Sequence, residues 1–443
     1  MLSRQYRGLY FYHLKKTAGS TLSPWLDTVT ADERVFDPAW VGPALFGHWQ
    51  IELNDQPPSG DPEVLRALFY WSDVIQSHKP LRPFAPAGTL CMTVLRDPVQ
   101  RLVSQVTDYR RLTPADWAET TGSFRDLIAD TNRLPLRNYL ERYGHNEGRL
   151  LLDNHMTRSL AVGRLGPSVV LVEDAGTLLD AALSSLENDY DVIGLTEYLD
   201  ISRNAICAMA GWPPAGEIRR LNCSRGSQDH DPAIAEASGI LHSLTRFDRI
   251  VYERASALFE DRHRAIGETY DMQAFETGAA SSVLHRLSGT HRDGATFFSV
   301  RLPIMGSGFH GRDDAGKPTC AVWSGPATCL TLYMPTPPNV DLSLLVWIRG
   351  YAAERQRHQI RVRVDGQPAP HNLVQADGYA DLLTIDSRTE RGFVRLEIEI
   401  DQTLTSVEAG SEGYDERKRG FSFDGYGWRL LPSDDPDRRY RTP

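Results

Sequence analysis

The hydrophobic pattern of the chain changes character near residue 270. Before that point, short apolar runs stand between amphipathic stretches. Gly8 to Leu14 reads as a buried strand, because a near-continuous apolar run of this length suits a strand covered on both faces. Gly19 to Leu26 reads as the start of a helix. Asp61 to Phe69 fits another, with Pro62 at a favourable first position. Thr89 to Leu95 is a second apolar strand, running directly into Arg96-Asp97-Pro98 and a helix to about Tyr109. Val169 to Val172 is a third strand, Leu178 to Leu186 a helix and Tyr190 to Gly194 a fourth strand. Arg246 to Arg262 is a long helix with apolar residues at Phe247, Ile250, Val251, Leu258 and Phe259. Strands alternating with helices predict an α/β unit, a parallel sheet flanked by helices on both faces.

Residues 266 to about 290 are rich in Gly, Ala, Ser and Thr and read as a linker. Beyond them the period is two. Ile360, Val362 and Val364 alternate with Arg361 and Arg363 and meet an Asp365-Gly366 turn. Leu396, Ile398 and Ile400 alternate with Glu397 and Glu399, and Leu342 to Ile348 is a further strand. This half predicts an antiparallel β-sandwich. The expected organisation is an α/β domain over 1–270, a linker over 271–290 and a sandwich domain over 291–443.

Composition narrows the classes. The chain has 443 residues, 41% hydrophobic and 24% charged, as in globular proteins. Its net charge of −10 argues against general binding to nucleic acid or anionic membranes. The five cysteines, Cys91, Cys207, Cys223, Cys320 and Cys329, are odd in number and lack CxxC spacing. Free thiols in a reducing compartment fit best. No stretch approaches the ~20 apolar residues of a membrane span, and the start of the chain does not read as a signal peptide. A cytoplasmic location is the expectation.

Two junctions carry chemistry. His13-Leu14-Lys15-Lys16-Thr17-Ala18-Gly19-Ser20-Thr21 lies between a predicted strand and a predicted helix. Such a junction binds anions, since backbone N–H groups and the helix dipole face the ligand. Gly19 is expected to let the backbone approach the ligand. Ser20 and Thr21 add hydroxyls, and Lys16 adds a point charge. In a Walker A loop the Lys follows the last Gly; here Lys16 precedes Gly19, which disfavours a Walker NTPase. The plain alternative is a helix cap beside an exposed lysine pair. The second junction is Arg96-Asp97-Pro98-Val99-Gln100-Arg101-Leu102-Val103-Ser104. Arg96 stands at a strand end, where ligands of open α/β sheets bind. Ser104 follows about two helical turns later, so the two can grip one phosphate. Arg101 is expected to face away and serve a surface salt bridge. The alternative is a strand–Asp–Pro–helix cap with incidental arginines.

Together the motifs resemble the sulfotransferases that use 3′-phosphoadenosine-5′-phosphosulfate (PAPS), closest to the bacterial and hexuronyl 2-O-sulfotransferase branch. That family has an H-x-P-K-T-A-G-[ST]-T loop and a later R-D-P-x-x-R-x-x-S motif. The resemblance implies that Lys15, Lys16, Thr17, Ala18, Gly19, Ser20 and Thr21 cup the 5′-phosphosulfate. It implies that Arg96 and Ser104 hold the 3′-phosphate. Lys15 stands where the family usually has Pro. The likeness covers roughly residues 8 to 260. Asp153-Asn154-His155-Met156-Thr157-Arg158 is similar to its D-N-x-x-T-R segment, and Ile193 to Glu197 to its V-G-L-T-E strand end. Leu221 to Gly226 resembles the loop that closes over the nucleotide, which adds Asn222, Ser224 and Arg225 to the donor contacts. The implied fold is a P-loop-like sulfotransferase sheet, the donor is PAPS with PAP as product, and no metal is required.

Sulfuryl transfer needs a base for the acceptor proton, a cation for the leaving phosphate oxygen and in-line positioning. Lys16 is the expected cation. Ser77-His78-Lys79-Pro80 resembles the family's G-H-x-P segment, which makes His78 the expected base. His48, in Gly47-His48-Trp49, is its rival, and a carboxylate or another His completes the alternatives. His155 and Arg158 are candidates to line the acceptor cleft or to make structural helix contacts.

Gly306 to Asp314 and Ala321 to Pro326 look like a β-sandwich module attached to some bacterial polysaccharide-modifying enzymes, and Asp415 to Phe421 loosely resembles its D-x-R-x-L-G stretch. Trp323, Trp347, Tyr426 and Trp428 either stack on sugars or fill the core, and core is favoured. The leading expectation is a glycan O-sulfotransferase. A P-loop-like nucleotide phosphotransferase and a non-catalytic glycan-binding protein are the alternatives. The acceptor is expected on loops within 40–60, 110–150 and 200–240; the net charge of −10 argues against a highly anionic polymer, though a basic cleft of Arg110, Arg111, Arg137 and Arg142 could still hold an acidic sugar. The sequence leaves acceptor identity and oligomeric state open.

Overall fold

The computed structural model describes residues 6, 8–30, 50–53, 62–71, 74–113, 115, 123–146, 148–166, 174–216, 232–285, 287, 289–313, 319–410, 415 and 417–431. Strands β1 (Gly8–Tyr12), β2 (Gln50–Leu53), β3 (Val74–Ser77), β4 (Thr89–Leu95) and β5 (Val192–Leu195) form a parallel sheet in the order β2-β3-β1-β4-β5. β1 and β4 are apolar and buried at nearly every position, as central strands of a covered sheet require. The strand expected at Val169–Val172 lies outside the described residues. β2 and β3, four residues each, had no signal in the pattern.

Alternation along the strands sends side chains to two layers. Leu9, Phe11, Met92 and Val94 pack with Leu22 and Leu26 of α1 (Gly19–Thr28). Tyr10, Tyr12, Cys91 and Leu95 face the other layer. That layer holds α2 (Pro62–Trp71), α4 (His155–Leu165), α5 (Ala175–Asn188) and α7 (Arg246–Phe259), while α3 (Pro98–Arg111) follows β4 and α6 (Leu199–Ala210) packs on the first face. The two buried tyrosines keep their hydroxyls satisfied. Tyr12 donates to Ser159 O at 2.8 Å; Tyr10 donates to Lys79 O at 2.7 Å and accepts from Leu81 N at 2.8 Å.

The Asp153–Arg158 segment is structural. Asn154 sits at φ 48° and accepts from the N–H of Phe247 at 2.8 Å and of Asp248 at 3.2 Å. Asp248 accepts in return from the N–H of Met156 at 3.3 Å and of Thr157 at 2.8 Å. Each helix start thus caps the other's unpaired amides. Arg158 donates to Asp153 through Nη2 at 3.0 Å, and His155 Nδ1 contacts Leu150 O at 2.8 Å. Both side chains are buried, so neither lines a cleft. Arg101 also departs from expectation. It is fully buried, donates to Leu151 O at 2.8 Å, and makes no surface salt bridge. Burial lowers its pKa to about 10, with Asp248 opposing.

The stretch read as a linker is folded. Met272–Gly278 and Ala280–Leu284 are helices. Phe275, Ala280, Val283, Leu284 and Leu287 belong to a hydrophobic cluster that runs from the parallel sheet into the sandwich. Truncating Phe275 to Ala would cost about 3–5 kcal/mol. Glu276 pairs with Arg391 at 2.7 Å and Arg395 at 2.6 Å, fixing this segment to the sandwich electrostatically as well.

The C-terminal half holds two antiparallel sheets over one core. β6 (Thr290–Arg292), β7 (Ala295–Ser299), β9 (Val322–Trp323), β11 (Val340–Tyr351), β14 (Asn372–Val374), β15 (Asp381–Thr389) and β17 (Phe421–Leu430) form one sheet. β8 (Gly306–Ser307), β10 (Cys329–Pro335), β12 (Arg361–Val364), β13 (Gln367–Pro368) and β16 (Phe393–Glu399) form the other. Asp365 and Gly366, at φ 51° and 82°, make the tight hairpin turn between β12 and β13. Trp347 and Tyr426 are core residues. Trp428 donates to Pro335 O at 2.8 Å, and Trp323 lies under the Arg419 guanidinium at 4.6 Å. Cys320 and Cys329 are not joined in a disulfide. Among the described residues no helix is long and apolar enough to cross a membrane.

Candidate functional site

The strand order places β1 between β3 and β4, so connections leave on opposite sides of the sheet there. This is the topological switch point at which open α/β sheets bind ligands, beyond the carboxyl ends of the strands. A cavity of about 680 Å³ occupies that position. His13, Lys15, Lys16, Ala18, Gly19, Ser20 and Thr21 line it from the β1–α1 junction, and His78 from the end of β3. Arg96, Gln100, Ser104, Asp108 and Arg111 line it from α3 and its entrance, and Thr196 and Glu197 from the end of β5.

The β1–α1 loop is tightly wound. Lys16 and Ala18 have φ of 69° and 70°, in the left-handed region that non-glycine residues seldom occupy. Thr17 is fully buried and donates to Leu14 O at 2.7 Å, so its hydroxyl braces the loop rather than facing the cavity. Gly19 has a different role from the one expected. A Cβ there would stand 1.7 Å from His13 Cε1, so glycine makes room for the His13 ring. Ala18 at the N-cap offers no side-chain acceptor, and the opening turn of α1 faces the cavity. Lys16 Nζ is 2.8 Å from Asp108 Oδ1, and Lys16 O accepts from Arg96 Nη1 at 3.5 Å.

His78 sits in a braced turn, in which Tyr10 OH bridges Lys79 O and Leu81 N and Lys79 N donates to Ser77 Oγ at 2.9 Å. Its Nδ1 stands 2.6 Å from His13 O. A carbonyl only accepts, so Nδ1 carries the proton and Nε2 is the basic nitrogen. The His13 and His78 rings are 4.3 Å apart between centroids. Burial, followed by His78, Lys16 and Lys15, lowers the His13 pKa to about 3, so His13 is neutral.

The α3 entrance is regular. Asp97 caps the helix by accepting from Gln100 N at 2.8 Å, and Pro98 fills its first turn. Glu197 Oε1 accepts from Asp97 N at 2.9 Å and Thr196 Oγ1 donates to Leu95 O at 3.2 Å, so the end of β5 fixes the end of β4.

Seven of the expected site residues therefore meet with His78 and Arg96 in one cavity: Lys15, Lys16, Ala18, Gly19, Ser20, Thr21 and Ser104. His48, Asn222, Ser224 and Arg225 lie outside the described residues. His155 and Arg158 are buried elsewhere; burial, then Arg101, lowers the His155 pKa to about 3. Of the arginines expected at an acceptor cleft, Arg111 lines the cavity, while Arg110 donates to Thr131 O, Arg137 pairs with Glu141 and Arg142 with Asp130. The motif reading missed Gln100, Thr107 and Asp108 and assigned Arg111 to the acceptor rather than to this cavity. Their spacing with Ser104 along α3 is a polar stripe at helical period, which the sequence displays.

No family model matches the sequence, and no curated protein matches it. Among solved structures, the Podospora anserina GH26-CBM35 β-(1,4)-mannanase is 12% identical over 33% of this chain and 29% of its own, with a TM-score of 0.23. A family 35 carbohydrate-binding module from Clostridium thermocellum is 8% identical over 31% of this chain and 98% of its own, with a TM-score of 0.20. The exo-β-1,3-galactanase of Phanerochaete chrysosporium is 15% identical over 32% of this chain and 29% of its own, at 0.17. Likenesses this slight fix neither fold nor activity.

Proposed function

We propose that the switch-point cavity binds PAPS and that the protein transfers its sulfuryl group to a hydroxyl, with a sugar as the acceptor class. The observation that carries this reading is the convergence of Lys16, Arg96, Ser104 and His78 in one cavity, with His78 held in the tautomer a base needs. In this reading the acceptor hydroxyl oxygen forms a bond to sulfur as the bond from sulfur to the 5′-phosphate oxygen breaks. The acceptor proton goes to His78 Nε2. The electron pair leaves with the phosphate, where Lys16 offsets the developing charge. Arg96 and Ser104 hold the 3′-phosphate and so keep the donor in line. The Lys16–Asp108 pair is half exposed and contributes little stability, so a phosphate can replace Asp108. The sugar acceptor rests on the resemblance alone.

The test is a calorimetric titration with 3′-phosphoadenosine-5′-phosphate (PAP), 5′-AMP and ATP, with Lys16→Ala as control. Micromolar binding of PAP alone, lost in the variant, is the expected outcome. Preference for ATP would favour a nucleotide phosphotransferase, and no binding to any of the three a glycan-binding protein.

A further inference from the structure

α1 carries the first anion site, yet its own sequence makes a weak helix. Ten residues are too few for a stable isolated helix. Gly19, Ser20, Thr21 and Ser23 are modest helix formers, and Pro24 removes an internal N–H. The loop before it keeps two non-glycine residues at positive φ, which persists only where neighbours over-determine the backbone. Contacts from other parts of the chain must supply the rigidity.

The sheet holds the first half: Ser23 Oγ donates to Gln76 Oε1 at 2.8 Å, and the His13 ring packs on Gly19. The sandwich holds the second half. Arg312, between β8 and β9, donates through Nη1 to Asp27 O and through Nη2 to Thr30 O at 2.6 Å. The same guanidinium reaches Val300 O at 2.6 Å and Leu302 O at 2.7 Å. Beside it, Ile304 N donates to Thr28 O at 2.8 Å, and Gly311 lies against Pro24. The carbonyls at the end of a helix have no partner within it, and a cation there also suits the negative end of the helix dipole. The planar fork of a guanidinium, with five fixed donors, suits it to tie two chain segments in this way.

We propose that Arg312 is a positioning residue for the phosphate loop. It fixes the last turn of α1 from the sandwich, and thereby sets the pose of the opening turn and the affinity for the donor. The C-terminal half is then a working part of the donor site. The affinity clause rests on the donor reading above.

The experiment compares wild type with Arg312→Ala, Arg312→Lys and Arg357→Ala in the full chain. Arg357 pairs with Asp381 at 2.7 Å within the sandwich and provides the control for general destabilisation. Amide hydrogen exchange over residues 15–23, PAP affinity and melting temperature are read for each. Arg312→Ala should speed exchange in that loop and weaken PAP about tenfold, within the usual range of coupling between sites. Arg312→Lys should fall between. Arg357→Ala should lower the melting temperature and leave exchange and affinity unchanged. Faster exchange confined to residues 26–30 with unchanged PAP affinity would overturn the proposal, as would the same loop response in Arg357→Ala. If wild type binds no PAP, the donor reading fails and loop exchange alone decides the role of Arg312. If Arg312→Ala does not fold, Arg312→Lys decides it.

Discussion

At the end of β4 the chain enters α3 through Asp97 and Pro98. The cap, the first-turn proline and the bond from Glu197 all belong to that junction or the strand beside it. At the end of β1 it enters α1 through a loop with two positive φ values, an N-cap without a side-chain acceptor and a proline inside the helix. Both junctions face the same cavity. The α3 junction is built largely from its own sequence. The α1 junction is held by distant groups: Gln76 and His78 from β3 and its loop, and Arg312 from the sandwich. An anion site can therefore be encoded locally or imposed by the fold, and the two kinds should fail differently.

The largest expected difference lies in the chemistry beside the α1 junction. His78→Ala should lower kcat about 10²–10⁴-fold, far more than it weakens PAP, read by single-turnover sulfate transfer once an acceptor is found; full activity would remove His78 as the base. At the α3 junction, Arg96→Ala should weaken PAP by about 1.5–3 kcal/mol, the loss of a charge-assisted contact. Unchanged affinity in calorimetry would refute that role.

Acid should separate the junctions next. His13 is held neutral at a pKa of about 3, whereas an unfolded histidine titrates near 6.5. The unfolded chain therefore binds more protons in that window, and stability falls as pH drops from about 6.5 towards 3. His13→Gln should flatten the fall of melting temperature between pH 6.5 and 4, and Arg96→Gln should leave it as in wild type. Equal slopes in all three proteins would show that His13 does not titrate as described.

Smaller effects sharpen the contrast. Asp97→Ala removes a local cap and should cost about 1 kcal/mol in denaturant unfolding. Asp108→Asn frees Lys16 from a half-exposed pair and removes a negative charge from the cavity. It should tighten PAP by up to about fivefold. Weaker binding would mean that Asp108 orients Lys16 for the ligand.

Legibility followed the same division. Thr89–Leu95 and the α3 start were readable to the residue, because apolar run, cap and proline are local signals. The position of α1 was readable, but the reason for Gly19 was not, since the His13 ring that needs its space is placed by tertiary packing. Residues 266–290 read as a linker because Gly, Ala, Ser and Thr dominate. Small residues also suit close helix packing, and Phe275, Val283, Leu284 and Leu287 are buried among them. Arg101 looked available for surface work because its partner, Leu151 O, lies 50 residues further along the chain. His155 and Arg158 bond within their own segment, to Leu150 O and Asp153, and it is tertiary packing that buries them.

The mutual capping of α4 and α7 has a kinetic side. Asn154 and Asp248 satisfy each other's helix starts across 91 to 94 residues of chain. Neither start can be completed by a nucleating helix alone, so both should become protected from exchange in one step, late rather than early in folding. Once closed, the same arrangement denies both ends the fraying that ordinary helix termini undergo, and the two should melt together.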